Sequence, residues 1–252
     1  MSGPDRRWSR DVLTVSGVSV LVLLVIWAVV HWWPAPTLGG TPRAQESVRL
    51  GPAPGQSVSD YLDGLRPRLP AAGARPVPAL IQFAGERDTE DVAALLAAAN
   101  ATAVRVVFRV PLPRVQTALR FEQLTDVDLP NPLEASRRRL DLARDAAQGQ
   151  AAAEASRATG RQRAVARYEA VELAGPCRCV LAVLAVGDRA ALSTLASRPG
   201  VRAVDAAPPG ARPDEVAVTP LLPEQTGTVG PMPDDGPVLD VPDVPVSPGG
   251  SG

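Results

Sequence analysis

The chain has 252 residues, a formal net charge of −1 and no lysine, so all 26 basic residues are arginine. A chain without net positive charge gives no reason to expect nucleic-acid binding. The only histidine, His31, lies outside the C-terminal domain, which excludes a Ser-His-Asp or Cys-His site within that domain of one chain. The lack of lysine also excludes a Schiff-base lysine and a phosphate-binding P-loop.

An uncharged apolar run, Val12 to Val30, is the strongest signal near the N-terminus. As a helix it would extend ~28 Å, close to the thickness of a bilayer's hydrocarbon core. Arginines precede the run and tryptophans gather at its far end (Arg6, Arg7 and Arg10; Trp27, Trp32 and Trp33). Both features predict a transmembrane helix over 12–33, with residues 1–11 cytoplasmic and the rest extracytoplasmic at the plasma membrane. A cleaved signal peptide is the alternative.

Composition divides the remaining chain into three parts. Residues 34–78 are rich in Pro and Gly and predict an extended tether, in which 57–65 is a short helix or a strand leading into the domain. Residues 79–207 carry the patterns of regular structure. Residues 208–252 are acidic and Pro-rich, which predicts a disordered tail. Within that tail only Val216 to Leu222 is apolar enough to dock, as an edge strand or on a partner.

Two segments of the domain read as β-α-β units. In the first, strands at 79–84 and 103–110 flank a helix that Asp88 or Thr89 caps and Asn100 ends. In the second, strands at 179–186 and 201–205 flank a short helix, and Gly187-Asp188 serves as the turn and cap before it. The strands AVRVV and GVRAV align as a degenerate internal repeat. Two such units predict an α+β fold of the ferredoxin-like class, a four-stranded antiparallel sheet with two helices on one face.

A long insertion, 111–176, separates the two units. Its first part predicts irregular chain or an edge strand around 117–124. A helical region then begins with Asn131 as the cap and Pro132 in the first helical position. This region is either one long exposed helix or a hairpin that turns near Gly149 or Gly160. Closely spaced alanines would allow tight helix packing within a hairpin or in a homodimer, and a solvated helix is the alternative.

Few residues of the domain offer chemistry. Cys177 and Cys179 point to one face of a strand, where they would be buried or bridged structural cysteines, a redox pair or, last, metal ligands. Acidic residues occur in two clusters: Asp126 with Asp128, and Glu86, Asp88, Glu90 and Asp91 at a helix start. Either cluster could catalyse glycoside hydrolysis or hold a hard cation, or its carboxylates could serve as helix caps and solvated surface charge. The three consecutive arginines Arg137, Arg138 and Arg139 could contact anionic lipid or the acidic tail, or lie on a solvated helix face.

Two segments of the chain resemble known groups of proteins. The segment RPGVRAVDAAPPGARPDEVAVTPLLPEQ, together with the anchor, resembles uncharacterised single-pass membrane-anchored proteins of actinobacterial type, and this resemblance implies no activity. The shorter segment LASRPGVRAVDAA resembles the end of subtilase propeptides and related inhibitors, which are ferredoxin-like. That resemblance implies inhibition of an extracytoplasmic serine protease.

These patterns favour a non-enzymatic, single-pass protein of the cell envelope whose domain binds other proteins. Its expected partners are the lipid bilayer, through residues 12–33, and another envelope protein, with a homodimer as a further candidate and no nucleic acid. We assign no catalytic, cofactor-binding or metal-binding residue. A propeptide-like protease inhibitor is the alternative function, and a carboxylate-dependent hydrolase using Asp126 and Asp128 is the third.

Overall fold

The computed structural model describes residues 48–65, 69 and 75–239. The predicted N-terminus 1–11 and membrane segment 12–33 lie outside these residues. Among the described residues, no helix is both long enough and apolar enough to traverse a bilayer. The elements in chain order are β1 Val48–Leu50, α1 Val58–Leu65, β2 Val77–Arg87, α2 Thr89–Ala99, β3 Thr102–Phe108, β4 Arg120–Gln123, α3 Pro132–Arg157, α4 Gly160–Leu173, β5 Val180–Gly187, α5 Arg189–Ala196, β6 Val201–Ala206, a 3-10 turn Pro213–Glu215 and β7 Val216–Val218.

The described chain is a mixed α+β domain, as the sequence predicts. Five strands form one sheet in the order β4-β3-β5-β2-β6, and all neighbours in it are antiparallel. Strands β2 and β3 therefore run parallel to each other with β5 between them, and β5 and β6 run parallel with β2 between them. Helices α2 and α5 make the two crossovers. The two β-α-β units interlock in this sheet, and the insertion adds β4 at one edge.

Capping residues define where the crossover helices begin and end. The carboxylate of Asp88 accepts a hydrogen bond from the backbone N–H of Asp91 at 2.7 Å, and Asp188 accepts one from Ala191 at 2.8 Å. Both bonds satisfy donors that a helix start leaves unpaired. Asn100 ends α2 in the left-handed conformation with φ 55°, which asparagine tolerates better than most residues. The predicted cap and stop of the first crossover helix are confirmed.

One face of the sheet packs against the helices. Side chains alternate along β2, so Ala79, Ile81 and Phe83 share this face and are buried in one core. Helices α2 to α5 contribute apolar residues to the same core: Val92, Leu96, Leu140, Leu173, Leu192 and Leu195. At ~1.5–3 kcal/mol for each fully buried large apolar side chain, this core is the main source of stability.

The insertion folds as a helical hairpin, one of the two predicted alternatives. Helix α3 ends at Arg157 and α4 begins at Gly160, which has φ 54°, so the turn is at Gly160 while Gly149 lies inside α3. Asn131 caps α3, and Pro132 occupies its first turn, as predicted. Alanines four residues apart line the buried face of α3: Ala143, Ala147, Ala151 and Ala155. Their small side chains let α4 pack closely against this face.

The other face of the sheet is covered by the two chain segments that flank the domain. Strand β1 pairs in parallel with β7, with Val48 opposite Val216, and Ser57 bridges to Thr228. A second core forms beneath this layer from Leu50, Leu80, Val107, Leu181, Leu184 and Val216. A third joins α1 to Ala203 and Leu221. The central strands of the sheet are therefore buried on both faces.

This layer departs from the sequence-based prediction for residues 34–78 and 208–252. Apart from a short helix or strand at 57–65 and a segment at 216–222 able to dock as an edge strand, both were expected to be without regular structure, because Pro and Gly are frequent and apolar residues are sparse. Those two exceptions coincide with α1 and β7. Within the described ranges, residues 48–65 and 208–239 instead pack on the sheet. They gain hydrogen bonds from each other: the backbone N–H of Gly55 donates to Val229 O at 2.8 Å, and that of Val58 donates to Gly227 O at 2.8 Å. Each segment lacks enough apolar residues to fold by itself, and pairing with the other segment supplies the backbone hydrogen bonds that hold both in place.

Candidate interaction surface

Gln82 lies in the middle of β2 and is fully buried on the face beneath the outer layer. Its Nε2 donates to the hydroxyl of Tyr61 at 2.6 Å, and its Oε1 accepts from the backbone N–H of Leu221 at 2.7 Å. One side chain of the sheet thus binds α1 on one side and the C-terminal segment on the other. Because buried polar groups require partners, these bonds fix the position of both segments.

Asp205 of β6 binds the segment that follows β1. Its Oδ2 accepts from the backbone N–H of Gly51 at 2.8 Å and from the hydroxyl of Tyr61 at 3.2 Å. Asp205 is completely buried. Together with Gln82 it forms a network that locks the outer layer to the sheet. Both residues are polar side chains placed among apolar residues of a strand, and that pattern is the sequence signal for a buried polar contact.

Arginines bind the C-terminal segment from several elements of the domain. The guanidinium of Arg202 donates to the carbonyl oxygens of Leu222 at 2.8 Å and Pro223 at 3.3 Å. Arg109 is 5% exposed and pairs at 2.9 Å with both Glu86 and Glu224. These contacts hold the described part of the acidic segment against the domain.

The last charged contacts of the described chain involve Asp234 and Asp235. The backbone N–H of Gln116 and then the Arg161 guanidinium lower the pKa of Asp234, and the Arg114 side chain lowers that of Asp235. The ordinary pKa of an aspartate side chain is 3.8. A depressed folded-state pKa contributes stability above the unfolded value and loses it as the pH falls through the folded value.

We therefore expect this attachment to persist at neutral pH and to be released only below pH 3.8. Carboxyl carbon chemical shifts of the two aspartates, followed by NMR against pH, should show both midpoints below that value. In the variant Arg114→Met the midpoint of Asp235 should rise toward its ordinary value while that of Asp234 changes less. Midpoints at or above 3.8 in the unmutated chain would contradict the attachment.

The carboxylates proposed as catalytic or cation-binding groups do not converge. Asp88 caps a helix, Glu86 pairs with Arg109, and Glu90 pairs with Arg137 at 3.6 Å on the surface. Asp126 is fully exposed and pairs with Arg139 at 3.2 Å. Across the part of the chain that the structure describes, no group of three or more potential ligands could hold a metal ion. These positions fit the capping and surface roles that the sequence left open.

The arginine run on α3 contacts its own surroundings. Arg137 pairs with Glu90, and Arg139 donates to the carbonyl oxygens of Thr125 at 3.1 Å and Leu124 at 3.5 Å. A cleft of about 570 Å³ lies beside this run, near Cys177. Its polar groups pair with one another, since Thr89 donates to Asp141 at 2.7 Å and Arg144 also contacts Asp141. The cleft therefore presents few unsatisfied groups to a ligand.

Cys177 and Cys179 are joined by a disulfide. The bridge immediately precedes β5, and the backbone of Cys179 is already held in the sheet, where it donates to Arg87 O at 3.1 Å and accepts from Arg109 N at 2.8 Å. The bridge closes a very short loop. Loop-closure entropy for such a loop gives roughly 1–2 kcal/mol. A locally bridged pair was one of the alternatives that the sequence left open.

Strand β4 forms one edge of the five-stranded sheet. Among the described residues it pairs only with β3, so its outer side is an edge. Leu124 N donates to Val104 O at 3.0 Å, which continues the register that places Glu122 opposite Val106. Hydrogen bonding alternates along an antiparallel pair, so the N–H and C=O groups of Phe121 and Gln123 point outward.

Apolar side chains accompany this edge. Phe121 is 45% exposed and Leu119 is 36% exposed, although both are large hydrophobic residues. Because side chains alternate along a strand, both project to the face opposite the helices, while Arg120 and Glu122 project toward the hairpin. There Arg120 pairs with Glu169 and Glu154, and Glu122 accepts a bond from Gln150 at 2.6 Å. An unpaired edge beside exposed aromatic surface is a feature of strand-adding interaction sites.

Comparison with known proteins adds no identity to this geometry, because no family model, curated protein or solved structure matches the chain.

Proposed function

We propose that this chain is a membrane-anchored, extracytoplasmic protein-interaction module with a ferredoxin-like domain. It binds a partner protein by adding a strand of that partner to β4. The partner is a protein of the cell envelope. The role is non-enzymatic.

The ferredoxin-like assignment is supported by strand order. When β2, β3, β5 and β6 are counted as strands one to four, their order across the sheet is 2-3-1-4. This is the interlocked arrangement of two β-α-β units. The helical hairpin and β4 are then an insertion between the units, and the β1–β7 layer is an addition on the second face.

The proposed location is supported by the chain's N-terminal composition and by the disulfide. The uncharged run at 12–33 follows three arginines, which favours a cytoplasmic N-terminus. The domain would then lie in an oxidising compartment. Such a compartment is where the Cys177–Cys179 bridge would persist.

The observation that carries the proposed interaction is the outward-facing backbone of β4 beside exposed Phe121. The helices cover one face of the sheet, and the β1–β7 layer covers the central strands on the other, so the accessible part of the second face is at β4, where Phe121 is exposed. An added strand would satisfy the outward backbone groups and bury Phe121. Backbone hydrogen bonds would supply affinity, and the apolar contact with Phe121 would supply selectivity.

The test is site-specific photo-crosslinking of the full-length protein in native membranes. A photoreactive amino acid at Gln123, on the edge, is compared with one at Arg138, which is also exposed but lies on α3. We expect discrete protein adducts from position 123 that are lost in the variant Phe121→Asp. The absence of adducts from position 123, or the same adducts from position 138, would overturn the proposal.

The propeptide-like inhibitor receives no comparable support. The segment that suggests it, residues 195–207, forms the end of α5, a turn and β6. Leu195, Val204 and Ala206 are buried in the helix-side core, and Ala203 and Asp205 are buried beneath the outer layer. Packing requirements account for this sequence without a protease.

A further inference from the structure

The geometry of β4 restricts how any second strand can pair with it. In an antiparallel pair, residues directly opposite each other either both point their backbone groups into the pair or both point them away. The outward groups of β4 belong to Phe121 and Gln123. A symmetric pair of two β4 strands must therefore be centred on Phe121, on Glu122 or on Gln123.

Charge distinguishes these three registers. A pair centred on Glu122 places two like charges directly opposite each other, which is destabilising. A pair centred on Gln123 places Phe121 opposite Thr125 and leaves the aromatic ring without an apolar partner. A pair centred on Phe121 places the two rings beside each other. It also puts Arg120 of each copy opposite Glu122 of the other.

We propose that the strand added to β4 comes from a second copy of this chain, with the two-fold axis at Phe121. The proposal rests on the edge of β4 being an interaction site, as inferred above. Two Phe121 N–H···O=C bonds join the copies at the axis, and the five-stranded sheets become one continuous sheet. Aromatic pairs and opposite-charge cross-strand pairs are the stabilising contacts of such a junction.

The surface of β4 suits a copy of itself. Phe121 and Leu119 are exposed hydrophobic side chains on one side of the strand. On the other side are Glu122 and Arg120, and Arg120 is buried and pairs with Glu154 and Glu169 of its own chain. An isologous contact needs such self-complementarity, since each residue meets its counterpart across the axis.

Cysteine crosslinking of the full-length protein in detergent micelles tests the register. The register predicts that Leu119 of one copy faces Gln123 of the other, with Cα atoms ~5.5 Å apart, within disulfide range. Leu119→Cys and Gln123→Cys are prepared separately and mixed under oxidising conditions. We expect a covalent dimer from the mixture and little from either variant alone, because identical positions 119 are ~14 Å apart along the strands.

Mass measurement of the unmutated protein completes the test. We expect a dimer by light scattering, which Phe121→Asp converts to monomer and which Leu133→Asp leaves intact. Leu133 is a matched control because it is 43% exposed but lies on α3. A monomeric unmutated protein, or a crosslink that does not require mixing, would overturn the self-pairing. If position 123 still crosslinks to another protein in that case, the proposed function stands and only the identity of the partner changes.

Discussion

Replacing Asp205 with alanine is expected to lower the free energy of unfolding by about 2–4 kcal/mol, because the partly buried backbone N–H of Gly51 and the buried hydroxyl of Tyr61 both lose an acceptor. The substitution leaves the helix-side core intact. Its effect should therefore be concentrated in the outer layer. Residues 48–65 and 216–225 should open more readily than the central strands.

Hydrogen exchange measured by mass spectrometry on the full-length protein resolves this distribution. Peptides from 48–65 and 216–225 should lose protection strongly, and peptides from β5 should lose less. Tryptophan fluorescence would not report the change, since all four tryptophans lie within the first 33 residues. Circular dichroism in urea gives the matching change in unfolding free energy.

Two substitutions serve as controls for Asp205. Asp205→Asn keeps one acceptor oxygen in place, so its effect should be smaller than that of alanine. Asp214→Ala removes a carboxylate that is 65% exposed and pairs with Arg212 at 3.1 Å on the surface. It should change stability by less than about 0.5 kcal/mol. Equal effects of Asp205→Ala and Asp214→Ala would show that the network does not hold the layer.

The helix-side half of the fold could be predicted because its signals are local. Asp88, Asp188 and Asn131 mark helix starts through their side-chain geometry, and each forms the expected cap. The apolar runs of β2 and β5 are continuous because both of their faces are buried. Only the bounds differ, by one to three residues at most strand ends.

The outer layer could not be predicted from local pattern because its stability comes from distant pairing. Val48 and Val216 are separated by most of the domain, and three-residue strands have no period to detect. The evidence in the sequence was indirect. Gln82 and Asp205 interrupt buried strands, and such residues need partners that only another segment can bring.

The candidate interaction surface at β4 could not be predicted from the sequence either. The sequence indicated an edge strand near 117–124, but whether its outer side is unpaired depends on the order of strands. Phe121 reads as one more apolar residue of a strand until the register shows which face it occupies. The exposure of a large aromatic residue can be judged only once the neighbours of its strand are known.

Removal of residues 208–252 is expected to abolish cooperative folding of the domain. The truncation takes away Val216 and Leu221, which are buried, and each such side chain contributes ~1.5–3 kcal/mol. It also removes the partner of β1, the acceptors of Arg202 and one bond to Gln82. The total loss approaches the stability of an ordinary domain, ~5–15 kcal/mol. Leu80, Leu181 and Leu184 would then face solvent and promote aggregation.

A shorter truncation provides the matched control. Removing only residues 240–252 keeps every contact described above, so the thermal midpoint should be close to that of the full-length protein. The single substitution Leu221→Asp should reproduce part of the long truncation's effect, because it introduces a charge into the third core without shortening the chain. If the tail were disordered, as its composition predicts, the full-length protein and both truncated proteins would have equal stability. Native circular dichroism and an unchanged thermal midpoint after removal of 208–252 would therefore show that this segment is peripheral to the fold.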